Sequence, residues 1–263
     1  MTPRRALGGA TLRGRALAAS TVRAHGLATA SLASLAVTVA ACATTGRGFM
    51  AEPLPGDDLP PPAAVGEGAR ALGVFRNTYY DFPFEADFSG DRVAVRGPGC
   101  ELVATVPRDF FAHLCVQGSG RLADGATLSF AKRDVACAEV CPRTGSKIAF
   151  ERLDPRAFPW GRGAAGRPIT PLRSVAVDPA KIPLGTAVYV PEFDGQAVSG
   201  AVRHDGCFVA EDRGSQVKGQ HLDVFTGGQA MTKKWNTKIP SNRGVRVYIG
   251  VTKCQGLGWI APR

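Results

Sequence analysis

Short apolar runs separated by glycine- and proline-containing turns recur along this chain, and they limit its fold more than any other feature. Glycine occurs 32 times and proline 19 times, which disfavours a helical bundle. The pattern predicts an all-β fold built around a closed or nearly closed β-barrel, with one short helix near residues 228–235. The predicted strands are 93–95, 102–106, 127–130, 147–151, 174–177, 187–190, 208–210, 222–225 and 245–251.

Composition excludes several classes of protein. Apolar residues make up 44% of the 263 residues, which is enough to bury a core. Beyond residue 41 no apolar run is long enough to cross a membrane, so a polytopic membrane protein is excluded. The net charge is +10, but residues 1–41 hold five arginines and no carboxylate, which leaves 27 basic against 22 acidic residues and a charge of +5. We therefore expect no nucleic-acid partner.

The first 41 residues have the order of an export signal: basic residues, an apolar stretch of small residues, and then Cys42. Residues 39–41 with Cys42 resemble the bacterial lipobox, in which the cysteine is acylated. An ordinary signal peptide with a chance cysteine is the alternative. Residues 42–68 are rich in proline and predict an extended tether. We expect a protein exported to the periplasmic face of the envelope and anchored there by a lipid on Cys42. Residue 44 is threonine and not aspartate, which by resemblance to Gram-negative sorting rules favours the outer membrane.

Six further cysteines predict three disulfides, because an exported chain folds in an oxidising compartment. The expected pairs are Cys207 with Cys254 and two bridges among Cys100, Cys115, Cys137 and Cys141. The alternative is a zinc site formed by Cys137 and Cys141 with His113 or His204, but the spacing does not match a paired zinc knuckle. We expect no metal and no cofactor.

Three aspartates in the C-terminal half are candidates for acid–base chemistry. Asp178 closes a run of small and β-branched residues, Asp212 ends a predicted strand, and Asp223 lies within another. An aspartate inside a strand must face solvent, a partner or a pocket. In a pocket, burial and a second carboxylate would raise its pKa and keep it protonated as a general acid. The structural alternatives are that Asp178 caps a turn, that Asp212 pairs with Arg213 and that Asp223 faces water.

The spacing of these residues adds a family resemblance. Residues 171–179, 182–190, 210–219 and 222–225, within the stretch 167–225, closely resemble the three-aspartate (3D) domain, a double-psi β-barrel of bacterial wall-modifying proteins that also occurs in membrane-bound lytic transglycosylase A. In that family the second and third aspartates lie eleven positions apart, as Asp212 and Asp223 do here. The predicted organisation is a first barrel strand with a cysteine-containing, β-rich insertion over 69–166, followed by the double-psi β-barrel domain over 167–263.

The resemblance implies a peptidoglycan lytic transglycosylase, which cleaves the β-1,4 bond between N-acetylmuramic acid and N-acetylglucosamine and leaves a 1,6-anhydromuramyl end. Asp223 matches the general acid, and Asp212 would raise or orient it. The expected substrate-binding residues are Asp178, which could also hold the barrel loops, with Lys218, Tyr80, Gly214 and Ser215. Tyr80 would stack on a sugar or pack in the core. The family usually has Asp-Thr-Gly-Gly where this chain has 212–215 as Asp-Arg-Gly-Ser, and an inward Arg213 would lower the pKa of the carboxylates.

Three other functions remain open at this point. An expansin-like, non-catalytic module would bind wall polysaccharide without cutting it. A purely structural envelope lipoprotein would neither bind nor cut. A hydrolase would leave a reducing muramic acid end. Retention of all three aspartates favours the enzyme, with peptidoglycan glycan strands as its partner and the membrane as its site of anchoring.

Overall fold

The computed structural model describes residues 65–66 and 68–258. The predicted signal peptide, Cys42 and nearly all of the tether lie outside the described residues. Within the described ranges, no helix combines the length and the apolar character that crossing a membrane requires.

Thirteen strands and two α-helices make up the described part of the chain, together with three short 3-10 turns. In chain order they are β1 (Arg70–Tyr80), β2 (Arg92–Arg96), β3 (Leu102–Pro107), α1 (Arg108–Gln117), β4 (Ser119–Arg121), β5 (Thr127–Arg133), β6 (Ile148–Leu153), β7 (Ser174–Val177), β8 (Ala187–Tyr189), β9 (Ala197–Ser199), β10 (Val202–Arg203), β11 (Cys207–Asp212), β12 (His221–Phe225), α2 (Gln229–Lys238) and β13 (Val245–Ile249).

Six of these strands close a barrel in the order β1-β12-β7-β11-β8-β13. The β1–β12 and β7–β11 pairs are parallel, and the other four pairs are antiparallel. Two parallel pairs within a six-stranded mixed barrel agree with the predicted double-psi β-barrel, so the all-β fold class is confirmed. Because side chains alternate across each strand, every strand contributes one set to the interior and one to the outer face.

The barrel interior is filled by aliphatic and aromatic side chains. Phe75 of β1, Val175 and Val177 of β7, and Leu222 and Val224 of β12 all belong to this buried cluster. The alternate residues of the same strands therefore point outward. Helix α2 adds Trp235, which is fully buried in the same core and stacks on Phe193. This helix confirms the one that the sequence predicts near residues 228–235.

A smaller β-rich subdomain lies between β1 and β7 in the chain. It consists of the β2–β3 hairpin, the three-stranded sheet β4-β5-β6 and helix α1. The sequence interpretation missed α1, although its buried residues Phe110, Phe111, Leu114 and Cys115 have helical spacing. This subdomain has its own core, which includes Val95, Val106 and Phe150.

Three disulfides join the six cysteines of the described part. They are Cys100–Cys137, Cys115–Cys141 and Cys207–Cys254. The predicted C-terminal pair and the two bridges within the subdomain are thus confirmed. The alternative zinc site is wrong, because both of its cysteines are committed to disulfides.

Candidate active site

One cross-strand row on the outer face of the barrel brings the two leading aspartates together. Thr78 of β1 is opposite Asp223 of β12, Asp223 is opposite Ala176 of β7, and Ala176 is opposite Asp212 of β11. Residues directly opposite each other in a sheet share a face. We call these four residues the carboxylate row. The two aspartates are two strand spacings apart, about 10 Å between Cα atoms, and only the small Ala176 side chain stands between them.

Asp223 has one oxygen bound and one open. Thr78 Oγ1 donates a hydrogen bond of 2.6 Å to Asp223 Oδ1. No donor in the described part of the chain reaches Oδ2, and Asp223 is partly exposed. The pKa of Asp223 is raised to about 6: burial is the largest cause, the negative charge of Asp212 also raises it, and the Thr78 hydrogen bond and the Arg76 charge act in the opposite direction.

Asp212 is held by three donors. Its Oδ1 accepts the backbone N–H groups of Ala164 at 3.0 Å and Arg213 at 2.8 Å, and its Oδ2 accepts the Tyr80 hydroxyl at 3.2 Å. Burial raises the pKa of Asp212, while these three hydrogen bonds favour its ionised form. The two carboxyl groups therefore differ in kind. Asp212 is immobilised as an acceptor on both oxygens, and Asp223 keeps one oxygen available to a substrate.

A glycine allows the backbone to reach Asp212. The segment between β6 and β7 passes so close to β11 that a Cβ on Gly163 would lie 2.4 Å from the Glu211 carbonyl oxygen. Only a residue without a side chain fits there, and this contact brings the following Ala164 N–H within hydrogen-bonding distance of Asp212. The linking segment thus completes the site.

Apolar side chains surround the carboxylate row. Ala176 packs in a cluster with Tyr80, Phe225, Val217 and Ile169. Trp160, which is partly exposed, packs edge-on against Phe225 with ring centroids 6.2 Å apart. This packing removes water from around both carboxyl groups, and desolvation is the largest cause of their raised pKa values.

Tyr80 occupies the site in a different way from the sugar-stacking role expected of it. Its side chain is only 8% exposed, and its ring packs against Phe225 with centroids 4.9 Å apart. The structure places this ring against Phe225 and not at the surface, and a stacking role for Tyr80 stays a prediction. Its hydroxyl instead orients Asp212, and the alternative of core packing agrees with the structure.

The third aspartate holds a loop. Asp178 directly follows β7, and its carboxylate accepts the N–H groups of Gly219 at 2.8 Å and Ala180 at 3.0 Å. These two bonds lower its pKa. Asp178 thereby fixes the end of the 214–219 turn just before β12 begins, as expected from the loop-holding role.

The remaining predicted site residues lie in the 214–219 turn. Lys218 is exposed and its charge acts on Asp178, whose pKa it lowers. Ser215 is exposed as well, and Gly214 accepts the Val217 N–H within the turn. Their part in substrate binding stays a prediction. Arg213 is exposed, and burial raises the pKa of Asp212 more than the charge of the Arg213 side chain lowers it.

Three residues around Asp223 were missed in the sequence. Thr78 binds Asp223 directly, His221 Nε2 lies 2.8 Å from Thr78 Oγ1, and Arg76 lowers the pKa of both Asp223 and His221. Arg76 and His221 are opposite each other in the β1–β12 register, two residues before Thr78 and Asp223 on their strands. In β1 the polar residues at 76 and 78 alternate with the buried residues at 75 and 77. This alternation is the signal that could have found them.

Two observations bear on metal binding. Among residues 65–66 and 68–258, no group of three or more histidines, cysteines, aspartates or glutamates is placed to hold a metal ion. His204, one histidine of the alternative zinc site, is buried with both ring nitrogens bonded, to the Leu172 carbonyl and the Gly206 N–H, each at 2.8 Å.

Comparison with known families identifies the class of barrel. Residues 173–249 match the model of the 3D domain. This match covers β7 to β13, with Asp178, Asp212 and Asp223, and confirms the resemblance found in the sequence for this part of the chain. A search of curated proteins gave no match.

Several solved structures are similar in overall arrangement. MltA from Escherichia coli with bound chitohexaose is 18% identical, with 69% of this chain and 75% of that chain covered and a TM-score of 0.48. The membrane-bound lytic murein transglycosylase from Agrobacterium tumefaciens is 15% identical, with coverages of 69% and 74% and a TM-score of 0.45. The lytic transglycosylase LtgG of Burkholderia pseudomallei is 21% identical, with coverages of 70% and 72% and a TM-score of 0.36.

Proposed function

We propose that this protein is a peptidoglycan lytic transglycosylase that cleaves the MurNAc-β-1,4-GlcNAc bond and leaves 1,6-anhydroMurNAc ends. The observation that carries the proposal is Asp223, a carboxyl group with a pKa of about 6, one oxygen without a donor in the described part of the chain, and a second carboxylate across a single alanine. The match to the 3D domain supports the same choice.

Asp223 would act first as an acid and then as a base. The protonated carboxyl group donates its proton to the glycosidic oxygen, and the bond from that oxygen to C1 of the muramyl residue breaks. The resulting carboxylate then accepts the proton of the C6 hydroxyl of the same muramyl residue, whose oxygen attacks C1 and closes the anhydro ring. The proton returns to Asp223 and no water is consumed, so one carboxyl group suffices where most glycosidases need two. An internal nucleophile also gains from proximity.

Asp212 would support this reaction without exchanging a proton. Three hydrogen bonds hold it as an acceptor, and its negative charge helps to keep Asp223 protonated. The same charge favours the positive character that develops at C1 when the glycosidic bond breaks. We expect the rate to fall as the pH rises through about 6, because the first step needs the protonated form of Asp223.

Product analysis on isolated cell-wall sacculi tests the proposal. The purified full chain should release muropeptides whose muramyl ends weigh one water less than the hydrolysed form, and Asp223→Asn should release none. Reducing muramic acid ends would indicate a hydrolase. Binding of sacculi without release by the native chain would leave the expansin-like module, and neither binding nor release would leave a structural envelope protein.

We also propose that the chain is exported and acylated on Cys42, on the sequence order described above. Radiolabelled palmitate should enter the native chain in cells and not the Cys42→Ala variant, and the native chain should fractionate with the outer membrane. Equal labelling of both chains would contradict the assignment of Cys42.

A further inference from the structure

A chain of three polar contacts runs from Asp223 into the protein. Thr78 Oγ1 lies 2.6 Å from Asp223 Oδ1 and 2.8 Å from His221 Nε2, and His221 Nδ1 lies 3.3 Å from the Gln216 carbonyl oxygen. The parallel register of β1 and β12 makes this chain of contacts possible, because it sets Thr78 opposite Asp223 and two residues along the ladder from His221.

The direction of this chain depends on the charge state of Asp223. A threonine hydroxyl has one hydrogen to donate. When Asp223 is ionised, that hydrogen goes to Asp223 Oδ1, and the 2.8 Å contact with His221 is then a hydrogen bond only if Nε2 carries the hydrogen. In this arrangement a neutral ring has no hydrogen on Nδ1 to give to the Gln216 carbonyl oxygen 3.3 Å away, so that contact is then not a hydrogen bond. His221 is 6% exposed, and burial with the nearby Arg76 charge lowers its pKa, so the neutral ring is favoured.

We propose that Thr78 and His221 are positioning residues that place the acidic proton of Asp223 on Oδ2. Oδ1 already accepts the Thr78 hydrogen, and His221 prevents the hydroxyl from turning away. The proton is left to Oδ2, which no donor in the described part of the chain occupies. Neither residue touches substrate; both act through Asp223. The inference rests on the proposed function for its meaning, although the hydrogen-bond arrangement can be measured without any activity.

Two matched pairs of variants separate positioning from simple packing. Thr78→Ser keeps the hydroxyl and Thr78→Val removes it at nearly constant volume. His221→Gln keeps an N–H donor near the position of Nε2, and His221→Met removes the donor. The other titratable or charged groups around the chain stay the same in all four variants; they are Arg76 and Tyr80 on β1, Glu211, Asp212 and Arg213 at the end of β11, and Asp178 after β7.

The experiment is an NMR titration of the full chain labelled with ¹³C at aspartate carboxyls and ¹⁵N in histidine rings, with Asp223→Asn to assign the Asp223 signal. Thr78→Val should move the Asp223 midpoint up by about one pH unit, because a hydrogen bond to the ionised form is lost. Thr78→Ser should leave the midpoint near that of the native chain. His221→Met should move it up by less, and His221→Gln should restore it. In the native chain, His221 should carry its hydrogen on Nε2 above the midpoint.

Equal midpoints for Thr78→Val and Thr78→Ser would overturn the proposal, and so would an Nδ1–H ring in the native chain above the midpoint. The ¹⁵N measurement needs no variant, so the proposal is testable even if a variant fails to fold. Release of muropeptides is measured separately on the same samples. If the native chain releases nothing while the midpoints shift as stated, the enzymatic function fails and the positioning of the proton stands.

Discussion

Replacing Asp223 with asparagine should make the protein more stable at neutral pH while removing its activity. The folded pKa of Asp223 is about 6, against 3.8 for the ordinary group. Because folding raises the pKa, the stabilising contribution is fully present below pH 3.8 and is lost as the pH rises through about 6. Above that pH the native protein carries a poorly solvated charge that asparagine lacks.

The difference between those two pKa values corresponds to about 3 kcal/mol at 1.36 kcal/mol per unit, as an upper value. Urea unfolding with the disulfides intact, measured at intervals between pH 4 and 8, would show it. The free energy of unfolding of Asp223→Asn should rise above that of the native chain by up to this amount across the interval. Parallel curves for the two proteins would refute the assignment of the raised pKa to Asp223.

Asp178→Asn is the matched control, because the sign of its effect is opposite. Two backbone N–H groups lower the pKa of Asp178, so its contribution is present above pH 3.8 and is lost as the pH falls. This variant should be less stable than the native chain at neutral pH and should approach it in acid. A gain in stability at neutral pH for both variants would point to a general effect of net charge.

Three further changes test the surroundings of the site. Gly163→Ala should displace the linking segment from Asp212, lower stability by about 1–3 kcal/mol and reduce muropeptide release; unchanged stability in urea would contradict the close contact. Tyr80→Phe should keep the fold and reduce release about tenfold, because Asp212 loses one donor, and equal release would remove that hydroxyl from the site. Replacing Cys207 and Cys254 together by serine should cost about 4 kcal/mol in unfolding free energy for a loop of this length; a loss below 1 kcal/mol would show that the bridge constrains little.

Much of the fold could be predicted because its signals are local. The alternation of apolar and polar residues between glycine turns marks the strands, and the six cysteines that follow Cys42 in a chain with an export-type leader mark the disulfides. Helix α1 was missed because its apolar residues lie within a stretch dominated by strands and turns, where the short helical spacing of Phe110 to Cys115 is easily overlooked.

The site was predictable only in part, for a physical reason. Asp212 and Asp223 are close in sequence, but β7 lies between their strands in the barrel, so their proximity depends on Ala176. Thr78 is 145 residues from Asp223, and only the closure of the barrel by β1 brings them into contact. Sequence spacing carries no information on such a pairing. The buried position of Tyr80 likewise depends on packing that forms only in the complete fold.

The carboxylate row lies within the hydrogen-bonded ladder of the barrel and not on its loops. Side chains return to the same face of a strand every second residue, so the pairing of β12, β7 and β11, with its irregularity between Ala210 and Asp212, sets the distance between Asp223 and Asp212. Natural or engineered variants of this barrel are thus free to adjust the acid through its neighbours, by exchanging the residues at 76, 78, 176 and 221, while the gap between the two aspartates stays constant.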